Sequence, residues 1–434
     1  MEPVVPLLAA AADAHAFTSL LATLVAVIIA TKLLGELAQR LGQPAVLGEL
    51  LAGVILGASV LGLLDPSDPV VHALGEIGVL VLLFEIGLET DLRSLVRVGR
   101  SASAVALVGV ALPFAAGFVA ARLLGLATVP AVVCGAALTA TSIGISARVL
   151  SDLGRLGTPE GQIVLGAAVA DDVVGLIILS VVSGFAGGAA LSLGGIALTT
   201  AIAVGFVIAA LGVGSMVVPP LFGRIAGIRV PGALGLLALA FAFLVAWLAA
   251  VSGSAMLVGA FAAGLVLHNT PQRRQIEQST TELGHFFVPI FFAAVGAQVD
   301  LRSLGDARAL ALGAALVAVG VAGKFAAGYA PWWFRGNKSL IGAAMVPRGE
   351  VGLIFARTGL ATGALDAPLF STLTLVVMVT TFIAPPLLGR VARRDADGDA
   401  VREDIEQDQP GDGGIDDLVV GTRPRERPAL PPSA

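Results

Sequence analysis

Two carboxylates stand side by side, Asp171 and Asp172, in GAAVADDVVGLIILSVV (166–182), a stretch otherwise free of charge. An aspartate at the centre of a membrane helix costs about 2.5–3.5 kcal/mol, so the pair costs roughly 5–7 kcal/mol if the two are simply added. Packing alone rarely explains such a cost. An acid pair held away from water can trade a bound cation for a proton. Successive helix residues point about 100° apart, so the two carboxylates share a depth but not a direction. One can face an ion cavity while the other meets a partner.

Lys324, in VAVGVAGKFAAGYA, is a partner for Asp171 that would remove one net charge from the interior. The competing reading is a lysine reaching past Trp332 and Trp333 to the membrane surface. Thr139, Thr141, Ser142 and Gly144 in LTATSIGIS supply hydroxyls and a small residue, and AAMVPRGEVG carries Arg348 and Glu350 around Pro347 and Gly349. Proline removes a backbone donor, so a helix interruption is expected near 346–350, and a second near 141–144. Arg348 and Glu350 would then pair with each other or with the exposed half-helix ends, a structural role. Glu49, Glu76, Glu85, Glu89 and Lys32 read as helix-end or packing polar groups. The histidines, His15, His72, His268 and His285, form no spaced cluster, and the single Cys134 excludes an intrachain disulfide and a cysteine metal site. No nucleophile–base set or phosphate loop points to an enzyme, a cofactor or a nucleic acid.

These residues must be carried by membrane helices. Of 434 residues, 56% are apolar and 13% charged, and the mean hydropathy is +0.93, too apolar for a soluble domain. Runs of about 20 apolar residues recur, and thirteen are expected at 17–37, 44–63, 72–90, 101–122, 127–147, 161–183, 193–221, 231–251, 253–268, 282–299, 308–332, 338–358 and 368–389. Their length and lack of alternation exclude a membrane β-barrel. The first sixteen residues hold no Lys or Arg, so the first run reads as a retained span rather than a secretory signal.

Loop charge sets the orientation. With the C-terminus inside, fifteen Lys or Arg fall in inner loops and the start of the tail, among them Arg148, Arg155, Arg273 and Arg335; Arg122, Arg302 and Arg308 fall outside. Residues 1–16 are thus a short extracytoplasmic N-terminus. Eleven acids crowd residues 395–434, and the segment 392–434 reads as an acidic, disordered cytoplasmic tail.

The chain also resembles itself. GLETDLRSL (87–95) matches GAQVDLRSL (296–304) at an offset of 209, Ala147-Arg148 matches Ala356-Arg357 at the same offset, and QPAVLGELLAGVILG matches SGSAMLVGAFAAGLVLH at 211. The shift carries the third crossing to the tenth, an odd number of crossings, so the halves are inverted. Inverted repeats with interrupted helices mark secondary transporters that bind substrate near the midplane. At the same offset Thr380 and Thr381 face the acid pair, so the acids are not required by what the repeat needs to fold.

RLGQPAVLGELLAGVILG (40–57), LLFEIGLETDL (82–92), LTATSIGISARVLSDLG (138–154), GAAVADDVVGLIIL (166–179), Lys324 and MVPRGEVGLI (345–354) together resemble the bacterial monovalent cation/proton antiporters, the group of sodium/proton and Kef-type potassium exchangers. The resemblance covers about 17–390. It implies a homodimer in the cytoplasmic (inner) membrane that serves pH homeostasis. Its parts would be scaffold helices (17–100 and 228–304), core helices (101–185 and 305–391) and a linker helix (186–227). It also implies that Asp172 is the sodium ligand and that Asp171 pairs with Lys324. Kef-type members commonly carry an amide at the first acid and a nucleotide-binding domain; Asp171 and the short tail lean to sodium. The expected function is exchange of sodium or lithium for protons. Potassium/proton exchange is the alternative, and a passive channel or sensor the more distant one.

Overall fold

In the computed structural model, which describes residues 4–186, 193–299 and 307–407, the described residues are helical with no strand. In order the helices are α1 (Val4–Arg40), α2 (Ala45–Leu56), α3 (Pro69–Glu89), α4 (Leu92–Arg97), α5 (Gly99–Leu123), α6 (Thr128–Ala137), α7 (Ile143–Asp152) and α8 (Pro159–Ala186). After them come α9 (Leu193–Ile225), α10 (Ala233–Val251), α11 (Met256–His268), α12 (Arg273–Ala297), α13 (Ala307–Ala327), α14 (Lys338–Ala344), α15 (Glu350–Ala361) and α16 (Ala367–Gln407). Residues Met1–Ala392 form one compact unit and Arg393–Ala434 another.

Local chemistry sets the ends. Asp68 caps α3, accepting from the amides of Val70 and Val71, with Pro69 in the first turn, where its missing N–H is not needed. Asp91 does the same for α4 through Arg93 and Ser94. Nine helices among the described residues are long and apolar enough to cross a membrane, and four shorter apolar helices fall where crossings are expected: Ala45–Leu56, Thr128–Ala137, Met256–His268 and Val351–Ala361. The chain is a multi-pass membrane protein. Several boundaries differ from expectation: α1 begins at Val4 rather than 17, α2 ends at Leu56 rather than 63, α12 begins at Arg273 rather than 282, and α16 runs to Gln407, past the composition change at 392. Residues 408–434 lie outside the described residues.

Both expected interruptions are present. Helix stops after Ala137 and resumes at Ile143, and stops after Ala344 and resumes at Glu350. The repeat extends to element bounds: α2 and α11 begin 211 residues apart (256 − 45), α5 and α13 208 (307 − 99), α7 and α15 207 (350 − 143), α8 and α16 208 (367 − 159). Left-handed glycines close corresponding helices, Gly42 after α1 and Gly253 after α10 (253 − 42 = 211), Gly154 after α7 and Gly363 after α15 (363 − 154 = 209). The stretch that would match α4, at 300–306, lies outside the described residues.

Packing repeats too. A Cβ on Gly53 of α2 would lie 2.1 Å from the Ala293 carbonyl oxygen of α12, and one on Gly264 of α11 would lie 2.2 Å from that of Phe84 on α3. Only glycine admits such approaches, the small-residue contact that lets membrane helices touch backbone to backbone. The repeat maps α2 to α11 and α3 to α12, so these two contacts are one contact seen from each half. An operation that exchanges the halves in this way is a two-fold.

Helices α1, α2, α3, α10, α11 and α12 pack among themselves, and α5, α6, α8, α13, α14 and α15 form a second group. α7 joins them, packing on α8 and on α2 and α3.

Candidate ion-binding site

The interruptions cross. The Ser142 amide, just before α7, donates to the Pro347 carbonyl just after α14, at 2.9 Å. Each broken end leaves backbone groups without helical partners in a dry interior, where each orphan is costly. Side chains fill the gap. Ser146 of α7 donates its hydroxyl to the Ala344 carbonyl at the end of α14. The Thr139 hydroxyl turns back to Ala136 O at 2.7 Å, which competes with helix continuation and helps stop α6 without a proline. Thr381 on α16 donates to the Arg348 carbonyl.

Arg348 is fully buried, and its guanidinium donates to Ala140 O at 2.9 Å and Gly320 O at 3.2 Å. It therefore caps the broken segment after α6, where the helix macrodipole leaves negative partial charge, and ties it to α13. A Cβ on Gly320 would lie 3.4 Å from the guanidinium, so glycine leaves room for it. The structural reading of Arg348 agrees with this geometry; the Glu350 side chain lies outside the described residues.

Asp171 and Asp172 sit on α8 beside the crossing, 1% and 5% exposed. Lys324 Nζ on α13, wholly buried, donates to Asp171 Oδ2 at 2.6 Å. The Thr141 hydroxyl donates to the same oxygen at 2.7 Å, and Asp171 Oδ1 has no hydrogen-bond partner among the described residues. Gly109 on α5 makes space for the lysine, since a Cβ there would stand 3.4 Å from Nζ. Asp172 is close enough for its charge to act on Lys324. Lys324 thus points into the bundle toward Asp171 rather than out to Trp332 and Trp333. Thr139, Thr141 and Ser142 all lie at the first interruption, and Thr141 is bonded to Asp171.

Sequence reasoning missed Ser146, Gly109 and Gly320. The two glycines carry no distinct signal, since α5 and α13 are rich in alanine and hold further glycines. Ser146 has none, because its acceptor is a backbone carbonyl 198 residues away.

Chemically, four formal charges are collected in one dry place: two negative on Asp171 and Asp172, two positive on Lys324 and Arg348. They sum to zero. A monovalent cation added at the acids makes the interior net positive unless a proton leaves, and an uncompensated charge there is expensive. Oxygen ligands from carboxylate, hydroxyl and backbone suit a hard cation. Crossed, interrupted helices around such a site define the class of ion-coupled secondary transporters.

Comparison with known proteins agrees. Residues 17–394 match the sodium/hydrogen exchanger transmembrane family, and the chain belongs to that family. It is 37% identical to the high-affinity Na(+)/H(+) antiporter NhaS3 of Synechocystis, over 90% of this chain and 95% of that one. It is 35% identical to the Na(+)/H(+)-K(+) antiporter GerN of Bacillus cereus, over 83% and 93%. Among solved structures, the sodium proton antiporter MjNhaP1 of Methanocaldococcus jannaschii shares the fold with a TM-score of 0.66 over 90% of this chain and 98% of that one, at 18% identity.

Proposed function

We propose that this protein exchanges sodium or lithium for protons across the cell membrane by alternating access, with Asp172 holding cation and proton in turn. One observation carries the reading: a dry Lys324–Asp171 pair adjoins a second acid where two broken helices cross. Competition supplies the coupling: cation and proton occupy the same carboxylate in turn, so binding one displaces the other, and the cation-loaded and protonated bundles are the forms that alternate between sides. Naming of the relatives as sodium/proton antiporters supports the choice of sodium.

In this reading the crossings number thirteen, the N-terminus lies outside and the C-terminus inside, and the two-fold lies in the membrane plane. The group α5–α8 with α13–α16 is the moving core, α1–α3 with α10–α12 the scaffold, and two copies pair through scaffolds. The two packing groups support this division. Potassium/proton exchange is the second reading, favoured by the potassium in the GerN name.

The test is proton movement in proteoliposomes holding an imposed pH gradient, with sodium, lithium and potassium added in turn. Sodium and lithium should collapse the gradient. A gradient that only potassium collapses would favour the second reading, and one that no cation collapses would defeat both.

A further inference from the structure

The connection between α13 and α14 is longer than the repeat requires. Its counterpart between α5 and α6 takes four residues, 124–127 (127 − 123), whereas this one takes ten, 328–337 (337 − 327). The short connection reads LGLA and the long one GYAPWWFRGN. Arg122, the cation beside the short one, is turned onto the Leu126 carbonyl at 2.6 Å. Aromatic and cationic side chains are thus gathered where α13 ends and α5 begins, and the other half shows that the turn itself does not need them.

Backbone and side-chain bonds hold the long connection in one shape. The Trp332 amide donates to Ala330 O at 2.9 Å and the Phe334 amide to Pro331 O at 3.0 Å. Asn337 caps α14, its side chain accepting from the Leu340 amide at 2.9 Å. The Trp333 indole N–H donates to the buried Ser101 hydroxyl of α5 at 3.1 Å, which pins the connection to the neighbouring helix.

Three cations stand on this frame. Arg100 of α5 lies over the Trp333 ring, its guanidinium carbon 4.3 Å from the centroid, a stacking that uses one face of the plane and leaves the N–H edges unspent. Lys338 gives one of its three N–H donors to Trp332 O at 3.1 Å. Arg335 is exposed. Among the described residues none of the three has an ion-pair partner, and Glu160 of α8, beside them, already accepts from the Asn337 amide at 2.9 Å. Trp332 packs against Trp333 with centroids 5.6 Å apart and is 77% exposed. From Arg100 the exposed face of α5 continues through Ser103 to Leu107, at helical spacings of three and four. Cations, then exposed tryptophan, then apolar surface is the order of layers in a phospholipid leaflet.

We infer that Arg100, Arg335 and Lys338, seated around Trp332 and Trp333, bind the phosphate headgroup of an anionic phospholipid whose chain lies along the Leu107 face of α5. Charge complementarity selects an anionic lipid over a zwitterionic one, since each Lys or Arg near an anionic surface is worth about fivefold in binding, the equivalent of about 1 kcal/mol. The frame is fixed before the lipid arrives, so little ordering is lost on binding. In the reading above this rim belongs to the moving core and faces the inner leaflet, so the lipid is held by the part that moves.

The test depends on neither transport nor orientation. Trp332 and Trp333 are two of the three tryptophans in the chain, so in a Trp247→Phe background they alone report. The full chain is reconstituted in phosphatidylcholine vesicles carrying rising fractions of phosphatidylglycerol with brominated chains, which quench tryptophan on contact; brominated phosphatidylcholine is the control. Phosphatidylglycerol should reach half-quenching at a fraction roughly tenfold or more below that of phosphatidylcholine, given three cations and one engaged acid. Arg335→Gln and Arg100→Gln should each raise that fraction about fivefold, the effect of one cation, while Arg122→Gln leaves it unchanged. Arg335 is exposed on the connection, so its variant decides the matter if Arg100→Gln does not fold. Equal half-quenching fractions for the two lipids, variants that keep the parent's preference, or an equal effect of Arg122→Gln overturns the inference. So does a preference that excess inorganic phosphate abolishes, which would assign the cations to a soluble anion, or one that emerges only after removal of residues 395–434, which would assign them to the acidic tail. Exchange activity enters none of these outcomes, so the proposed function stands or falls separately.

Discussion

Removing Lys324 isolates the pair that explains why the chain carries two acids. In Lys324→Gln the amide leaves Asp171, 1% exposed, without its 2.6 Å cation partner. Breaking a fully buried pair by deleting one member costs about 3–5 kcal/mol, because the remaining charge stays buried without its partner. The Thr141 hydroxyl still donates to the same carboxylate at 2.7 Å, which places the expected loss at the lower end, about 3 kcal/mol. Asp171→Asn should lose a similar amount by exposing the lysine to the same penalty. The double variant Asp171→Asn/Lys324→Gln has neither orphaned charge, and its loss should be smaller than the sum by roughly 2 kcal/mol or more, within the range for directly coupled residues. Denaturation of the detergent-solubilised proteins, read as unfolding midpoints, closes this cycle. Additive losses would refute the pairing, and so would a Lys324→Gln variant as stable as the parent.

If Asp172 alone exchanged one proton for one monovalent cation, transport would move no net charge. A Lys324–Asp171 pair that opens when cation arrives lets Lys324 release a second proton, so parent flux should follow an imposed potential, worth about 2.3 kcal/mol per charge per 100 mV, and Lys324→Gln should lose that dependence. Potential-independent flux in the parent contradicts this. Gly53→Ala and Gly264→Ala each push a Cβ into a facing backbone oxygen and should each destabilise by about 1–3 kcal/mol. Gly205→Ala, where nothing lies within 4 Å, should not; equal stability of all three in thermal unfolding would contradict the repeated close contact.

The membrane helices were legible because a bilayer imposes one simple demand, a run of apolar residues long enough to cross. The second interruption announced itself through Pro347 and Gly349. The first was harder, since α6 stops after Ala137 with no proline to mark it, and the Ser142 amide finds its partner in the Pro347 carbonyl contributed by the other half. The pairing partners of the charged residues divide the same way. Lys324 and Asp171 are rare charges in the membrane whose pairing would remove one net charge and is implied by the family resemblance, and the structure joins them. The acceptors of Arg348, Ala140 O and Gly320 O, are backbone atoms that every residue possesses, so no pattern of residue types could point to them. Helix α4 escaped because six residues capped by Asp91 make too short a run to register. Glu49 looked like a helix-end polar group, yet the fold leaves it 3% exposed with one carboxylate oxygen lacking a hydrogen-bond partner among the described residues.

The most direct test of the account is Asp172→Asn in proteoliposomes, because Asp172 is assigned both cation binding and proton carriage and an amide does neither. Sodium-driven proton movement should fall to that of protein-free vesicles, with expression and unfolding midpoint near those of the parent. Substantial sodium-driven proton movement in a well-folded Asp172→Asn protein would contradict the central claim.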